Sequence, residues 1–210
     1  MNKVKGKHIE IVEIIFKISY LFLALGTFNS YIYSSSIQPF LVNVTLAAGG
    51  ITILFKIVQF NRYKKVPCLI LTVLFCASML FSAIMNRKYG MTGDLKWIIW
   101  TGFQFFGLYL CDVEKEHSKY KTEFTIVSNI MIIYACVCAV ASLCMLVTRT
   151  SAVWNTQEHE KMISGFLWGR LWGVYTDPNY AAVFCVIAIL LSVLFLIQKK
   201  HLLLKAVYFL

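Results

Sequence analysis

Six apolar runs, each about the length of a bilayer crossing, take up most of this 210-residue sequence. They are Ile11–Tyr33, Pro39–Val58, Val66–Met85, Leu95–Cys111, Phe124–Val147 and Pro178–Ile197. A seventh begins at Leu202 and stops at Leu210. A transmembrane helix needs about 20 mostly apolar residues, so runs of this length and number leave few alternatives to a membrane. With 59% of residues apolar and 14% charged, the chain lies outside soluble domains, which average roughly 45–50% apolar and about 25% charged. Its 16 Phe, 11 Tyr and 5 Trp exclude a disordered chain. The expected fold is an all-α polytopic helix bundle over residues 1–210. It has six complete spans and a truncated seventh, and reads as the incomplete front part of a longer protein.

Orientation follows from the basic residues of alternate loops. One side collects Lys3, Lys5, Lys7, Arg62, Lys64, Lys65, Lys115, Lys119, Lys121, Lys199, Lys200 and Lys205. The other has only Arg87, Lys88, Arg149, Lys161 and Arg170. The first side is therefore assigned to the cytoplasm, with the N-terminus inside. The formal charge of +10 reflects this loop bias and contact with anionic headgroups, not nucleic-acid binding. Lys3, Lys5 and Lys7 before an apolar stretch resemble the start of a signal peptide, but the run continues past Gly26 to Tyr33, which favours an uncleaved first span.

Charged residues near span ends have local explanations. Glu13 and Lys17 stand at helical ion-pair spacing. Lys56 is one turn from its span's cytoplasmic end and can snorkel. Asp94 fits an N-cap for the fourth span, with Lys96 behind it. The alternative for each cation is a buried charge on a substrate or proton path. The cysteines Cys68, Cys76, Cys111, Cys136, Cys138, Cys144 and Cys185 read as small packing residues. Cys136 and Cys138, two apart on a helix, point in nearly opposite directions and cannot chelate one metal together. No metal or disulfide framework is indicated.

The outer loop from Thr148 to Thr176 differs from the others. Asn155 and Glu158 have capping-box spacing, and Met162, Ile163, Phe166, Leu167 and Leu171 recur at helical intervals. With Trp154, Trp168, Trp172 and Tyr175, this predicts an amphipathic helix lying in the outer headgroup layer. After it, Asp177 fits an N-cap and Pro178 the first helical position of the sixth span. That places free N–H groups and the positive end of the helix dipole at the outer surface. Arg170 lies just upstream, across a turn that Gly173 can relax. An arginine beside a helix N-terminus forms an anion site, suited to a lipid phosphate or pyrophosphate. The same residues also fit a structural arrangement in which Asp177 pairs with Arg170 and Asn179 merely assists the cap.

The run Arg170-x-x-Gly173-x-x-x-Asp177-Pro178-Asn179-x-x-Ala182, opening a span after an outer loop, resembles a signature of the O-antigen ligase/O-antigen polymerase family. The motif covers about fourteen residues, and the preceding spans match the family only in general layout. The resemblance implies a multi-span glycosyltransferase of the bacterial inner membrane. It would extend or ligate undecaprenyl-pyrophosphate-linked glycan at the extracytoplasmic face, for O-antigen, capsule or exopolysaccharide assembly. It implies that Arg170 contacts the donor's pyrophosphate, with Gly173, Asp177, Pro178 and Asn179 shaping the substrate-binding helix start. Beyond the glycan carrier and membrane lipids, no cofactor or metal is implied.

Family members carry a further extracytoplasmic loop with a second arginine and a histidine base, and no such loop precedes Leu210. His8, His117 and His201 fall on the cytoplasmic side, and His159 belongs to the amphipathic segment. The catalytic residue is therefore unassigned and expected beyond Leu210. Two other readings stand beside this one. A transporter would show discontinuous helices with mid-membrane polar residues. A non-catalytic membrane partner would need no site at all.

Overall fold

The computed structural model describes residues 2–59, 66, 68–110, 116–156 and 161–198. The chain is mostly helical and divides into two compact units. One comprises Met1–Tyr20 and Leu41–Tyr120, the other Leu21–Phe40 and Lys121–Leu210. The helices are α1 (Asn2–Thr27), α2 (Ser30–Tyr33), α3 (Ile37–Val58), α4 (Leu69–Met85), α5 (Met91–Gly102), α6 (His117–Thr148) and α7 (Pro178–Gln198).

Three of these, α3, α6 and α7, are long and apolar enough to cross a membrane. In α6 and α7 only 17% of the apolar window is buried within the protein. Val147 (83% exposed) and Ile197 (77%) typify the outward surface. A helix that is apolar all round belongs in a protein core or in lipid, and here the protein covers little of it. The shorter α4 is also apolar.

Several boundaries differ from the sequence expectation. The first run does not continue as one helix to Tyr33. α1 ends at Thr27, and Asn29 caps α2, its Oδ1 accepting from the backbone N–H of Tyr31 (3.1 Å) and Ile32 (3.2 Å). A carboxamide so placed offers the backbone an alternative to continued helix. α5 starts after Gly90, so Asp94 is not its N-cap. It lies in the first turn, where its charge meets the positive helix end. The fourth run then widens into a π-helix over Phe103–Tyr109. Cys111 and the seventh run from Leu202 lie outside the described residues.

The core of the first unit forms around Phe16, which is fully buried and packs edge-on against Tyr20 and Phe103, each 5.9 Å away between ring centroids. Ala48, Ile53, Trp100 and Leu108 close around it. Gln104 donates from Nε2 to the Tyr20 hydroxyl at 2.9 Å. Lys56 does not snorkel to an aqueous boundary. It is buried, and its Nζ lies 2.7 Å from Glu13 Oε1 across the α1–α3 pairing.

The largest correction lies in the second unit. The fold is not all-α, and the segment read as an interfacial amphipathic helix is a three-stranded antiparallel sheet. Its strands are β1 (Ser151–Asn155), β2 (Lys161–Leu167) and β3 (Arg170–Gly173), in the order β1-β2-β3. Ser151 pairs with Gly165 and Asn155 with Lys161; Leu167 pairs with Arg170 and Gly165 with Gly173. The apolar residues at helical spacing are split between two strands, and Met162, Ile163, Ser164 and Gly165 are buried consecutively, as no surface helix allows. Trp168 and Gly169, both at positive φ (54° and 73°), form the two-residue connection whose twist suits a hairpin. Glu158 and His159 lie outside the described residues.

The helices of this unit and the segment following β3 share a core of Leu25, Cys138, Val174, Tyr175 and Phe184. Tyr175 stacks on Phe184 at 5.8 Å, and Tyr134 meets the same ring edge-on at 5.5 Å.

Candidate functional site

The five residues singled out by the sequence fall on β3 and the segment entering α7, and β3 lies against α7. Asp177 and Pro178 behave as their chemistry dictates. Asp177 Oδ1 accepts the Asn179 N–H at 2.7 Å, and its carbonyl accepts the Tyr180 N–H at 3.1 Å. Asp177 is thus the N-cap and Pro178 occupies the first helical position, where no N–H is needed. Asn179 follows in the first turn with its side chain exposed.

Gly173 ends β3 at a φ of +59°, a conformation that L side chains rarely adopt. A Cβ there would collide with the Ser142 hydroxyl of α6. Glycine therefore serves two needs at this position, a left-handed turn and a close approach to α6. The adjoining Val174 N–H donates to Ser142 Oγ at 3.2 Å, while that hydroxyl donates to the Cys138 carbonyl at 2.7 Å.

Arg170 stands at the hairpin end of β3 with its side chain exposed. It makes no ion pair with Asp177, and among the described residues no ion-pair partner is found for it. Nearby in sequence, Trp168 is 69% exposed, and the Lys161 ammonium sits 5.7 Å from its ring centroid. The motif therefore separates into two parts: an exposed guanidinium on a hairpin, and a buried glycine turn leading to a capped helix start.

A layer of buried polar groups that no sequence motif marks lies beneath this segment. Asn29 Nδ2 donates to Cys138 Sγ at 3.8 Å, and the Tyr134 hydroxyl to the Leu25 carbonyl at 2.9 Å. Ser30 Oγ donates to the Ile163 carbonyl at 3.3 Å, and the Tyr31 and Ser164 hydroxyls are 3.0 Å apart. Asn29 also bridges Tyr175 as an isolated antiparallel pair. The available signals were a carboxamide inside the first apolar run and the serine at 142. Tyr175, 1% exposed, brings a further hydroxyl into this layer. That hydroxyl and Trp172 Nε1 are buried without a hydrogen-bond partner among the described residues.

Cys136 is exposed and Cys138 buried, in keeping with their two-residue spacing. Among the described residues no three His, Cys, Asp or Glu side chains cluster closely enough to hold a metal ion. No family model, curated protein or solved structure matches the chain.

Proposed function

We propose that this chain forms part of a bacterial membrane glycosyltransferase of the O-antigen ligase/O-antigen polymerase type. It would polymerise or transfer undecaprenyl-pyrophosphate-linked glycan at the extracytoplasmic face of the plasma membrane. In this reading the six apolar runs all cross the bilayer, the N-terminus is cytoplasmic, and the sheet between α6 and α7 lies on the outer side. The observation that carries the reading is Arg170. It is an exposed guanidinium on a strand packed against the capped start of α7, and it is not consumed by Asp177.

The chemistry follows from those positions. A departing pyrophosphate concentrates negative charge, and a guanidinium offers it a planar fork of donors. Asp177 and Pro178 hold the helix start in register, and Gly173 sets the turn before it. The base that activates the acceptor hydroxyl has no candidate among these residues. At the break between α1 and α2 the backbone is satisfied by Gly26, Val174 and Thr176, and the Asn29 side chain reaches Cys138.

The test is Arg170→Ala in the native host. Glycan polymer or ligated product is expected to be lost while the protein still inserts in the membrane at normal abundance. Arg170→Lys should restore only part of the product, because an ammonium lacks the bidentate fork. Undiminished product in Arg170→Ala would refute the pyrophosphate role.

A further inference from the structure

The second unit contains a mismatch of levels. α6 continues to Thr148, yet the segment entering α7 packs well below that end. Val174 bonds to Ser142, and Asn29 to Cys138. Those α6 residues lie six and ten positions before Thr148, about 9 and 15 Å along the axis at 1.5 Å per residue. Alongside the intervening turns, α6 presents Val140 (61% exposed), Leu143 (55%) and Val147 (83%) on one outward stripe. In water that stripe would be an aliphatic patch on an otherwise polar loop region. On α7, Val183, Val186 and Leu190 are likewise exposed.

The non-helical backbone at this level is also satisfied from within. Ser30 N–H donates to the Val174 carbonyl (2.9 Å), and Thr176 N–H to the Phe28 carbonyl (3.0 Å). Asn29 N–H donates to the Gly26 carbonyl (3.1 Å), and Tyr175 N–H to the Trp172 carbonyl (3.2 Å). Backbone this deeply buried has to be paired in any surroundings. Irregular backbone at membrane depth has no other way to exist.

We propose that this layer is re-entrant. The segments around Asn29 and Tyr175, and the start of α7, are sunk in the outer leaflet beside lipid-facing turns of α6. The occupant of the Val140–Leu143–Val147 stripe is lipid acyl chain. The inference rests on the chain residing in a bilayer and not on the glycan chemistry, so its test reads depth alone.

The experiment places nitroxide labels, one at a time, on Val140→Cys, Val147→Cys, Arg149→Cys and Asn179→Cys. The full chain is used, in phospholipid bilayers, with every native cysteine except the buried Cys138 replaced. All four positions are outward-facing, so the labels need not disturb packing. Collision with oxygen is compared with collision with a water-soluble nickel chelate. The expected order has Arg149 aqueous, Val147 shallow, and Val140 and Asn179 oxygen-dominated, with Val140 about 10 Å deeper than Val147. Nickel-dominated collisions at Val140 or Asn179 would mean that α6 projects into water, overturning the proposal. Exclusion of both reagents at Val140 would mean that another protein segment or a second copy covers the stripe, and would overturn it equally.

Discussion

Replacing Lys56 with methionine isolates one term in the stability of the first unit. The ammonium of Lys56 and the Glu13 carboxylate approach to 2.7 Å, with side chains only 9% and 13% exposed. Methionine keeps most of the aliphatic stem, so Lys56→Met creates little cavity and removes mainly charge. The Glu13 carboxylate is then left in an environment that is nearly dry. Breaking a buried pair from one side typically costs about 3–5 kcal/mol. The loss falls toward the lower figure where the stranded acid takes up a proton. Removing both charges together, as Glu13→Met/Lys56→Met, eliminates the stranded group. Apolar replacement of a buried pair is often neutral or stabilising by about 1–4 kcal/mol. The double variant is therefore expected near or above the parent and clearly more stable than either single variant, the signature of strong coupling between the two sites. The assay is equilibrium unfolding in mixed micelles, followed by helical circular dichroism, on the parent, both single variants and the double. A Lys56→Met variant within about 1 kcal/mol of the parent would refute the reasoning. So would a double variant no more stable than the worse single.

Two further substitutions test the turn into α7. Gly173→Ala is expected to destabilise the second unit by about 1–3 kcal/mol, because it combines an unfavourable φ with a collision against Ser142. Gly102→Ala, where a Cβ meets nothing, should be neutral or stabilising in the same unfolding assay. Asp177→Ala should lower stability by about 0.5–2 kcal/mol through loss of the N-cap, whereas Asp177→Asn retains a capping oxygen and should fall within a few tenths of the parent. Hydrogen exchange at the Asn179 amide reads this locally, and equal protection in parent and Asp177→Ala would sink the capping role.

Helices whose residues interact mainly with their own neighbours were legible from the chain. Pro39–Val58 became Ile37–Val58, and Pro178–Ile197 became Pro178–Gln198, with the Asp177 cap and the Pro178 position as spacing required. These features depend on residues within four positions of one another. Of the candidate site, the α7 start was readable for the same reason. Its separation from Arg170 was not, because no local rule states how far a hairpin carries a side chain from the helix that follows.

The misreadings share a physical cause. Met162, Ile163, Phe166, Leu167 and Leu171 satisfy a helical period, yet they lie in strands because backbone partners at 150–155 and 170–173 compete for the same N–H and C=O groups. Gly165 at an irregularity within β2, Gly169 in the hairpin and Gly173 at the end of β3 supply the positive φ that a helix would forbid. Lys56 seemed free to reach water because its own helix offers no acid; Glu13, more than forty positions earlier, supplies one. Composition and run length alone determine that this chain is apolar enough for a membrane, and that most of it is helical, since a helix satisfies its own backbone wherever it is placed. The tertiary structure alone decides the sheet, the buried ion pair and the polar layer from Asn29 to Tyr175. Each is held by partners distant in the chain, and burial of an unpaired charge or amide is what makes those distant partners obligatory.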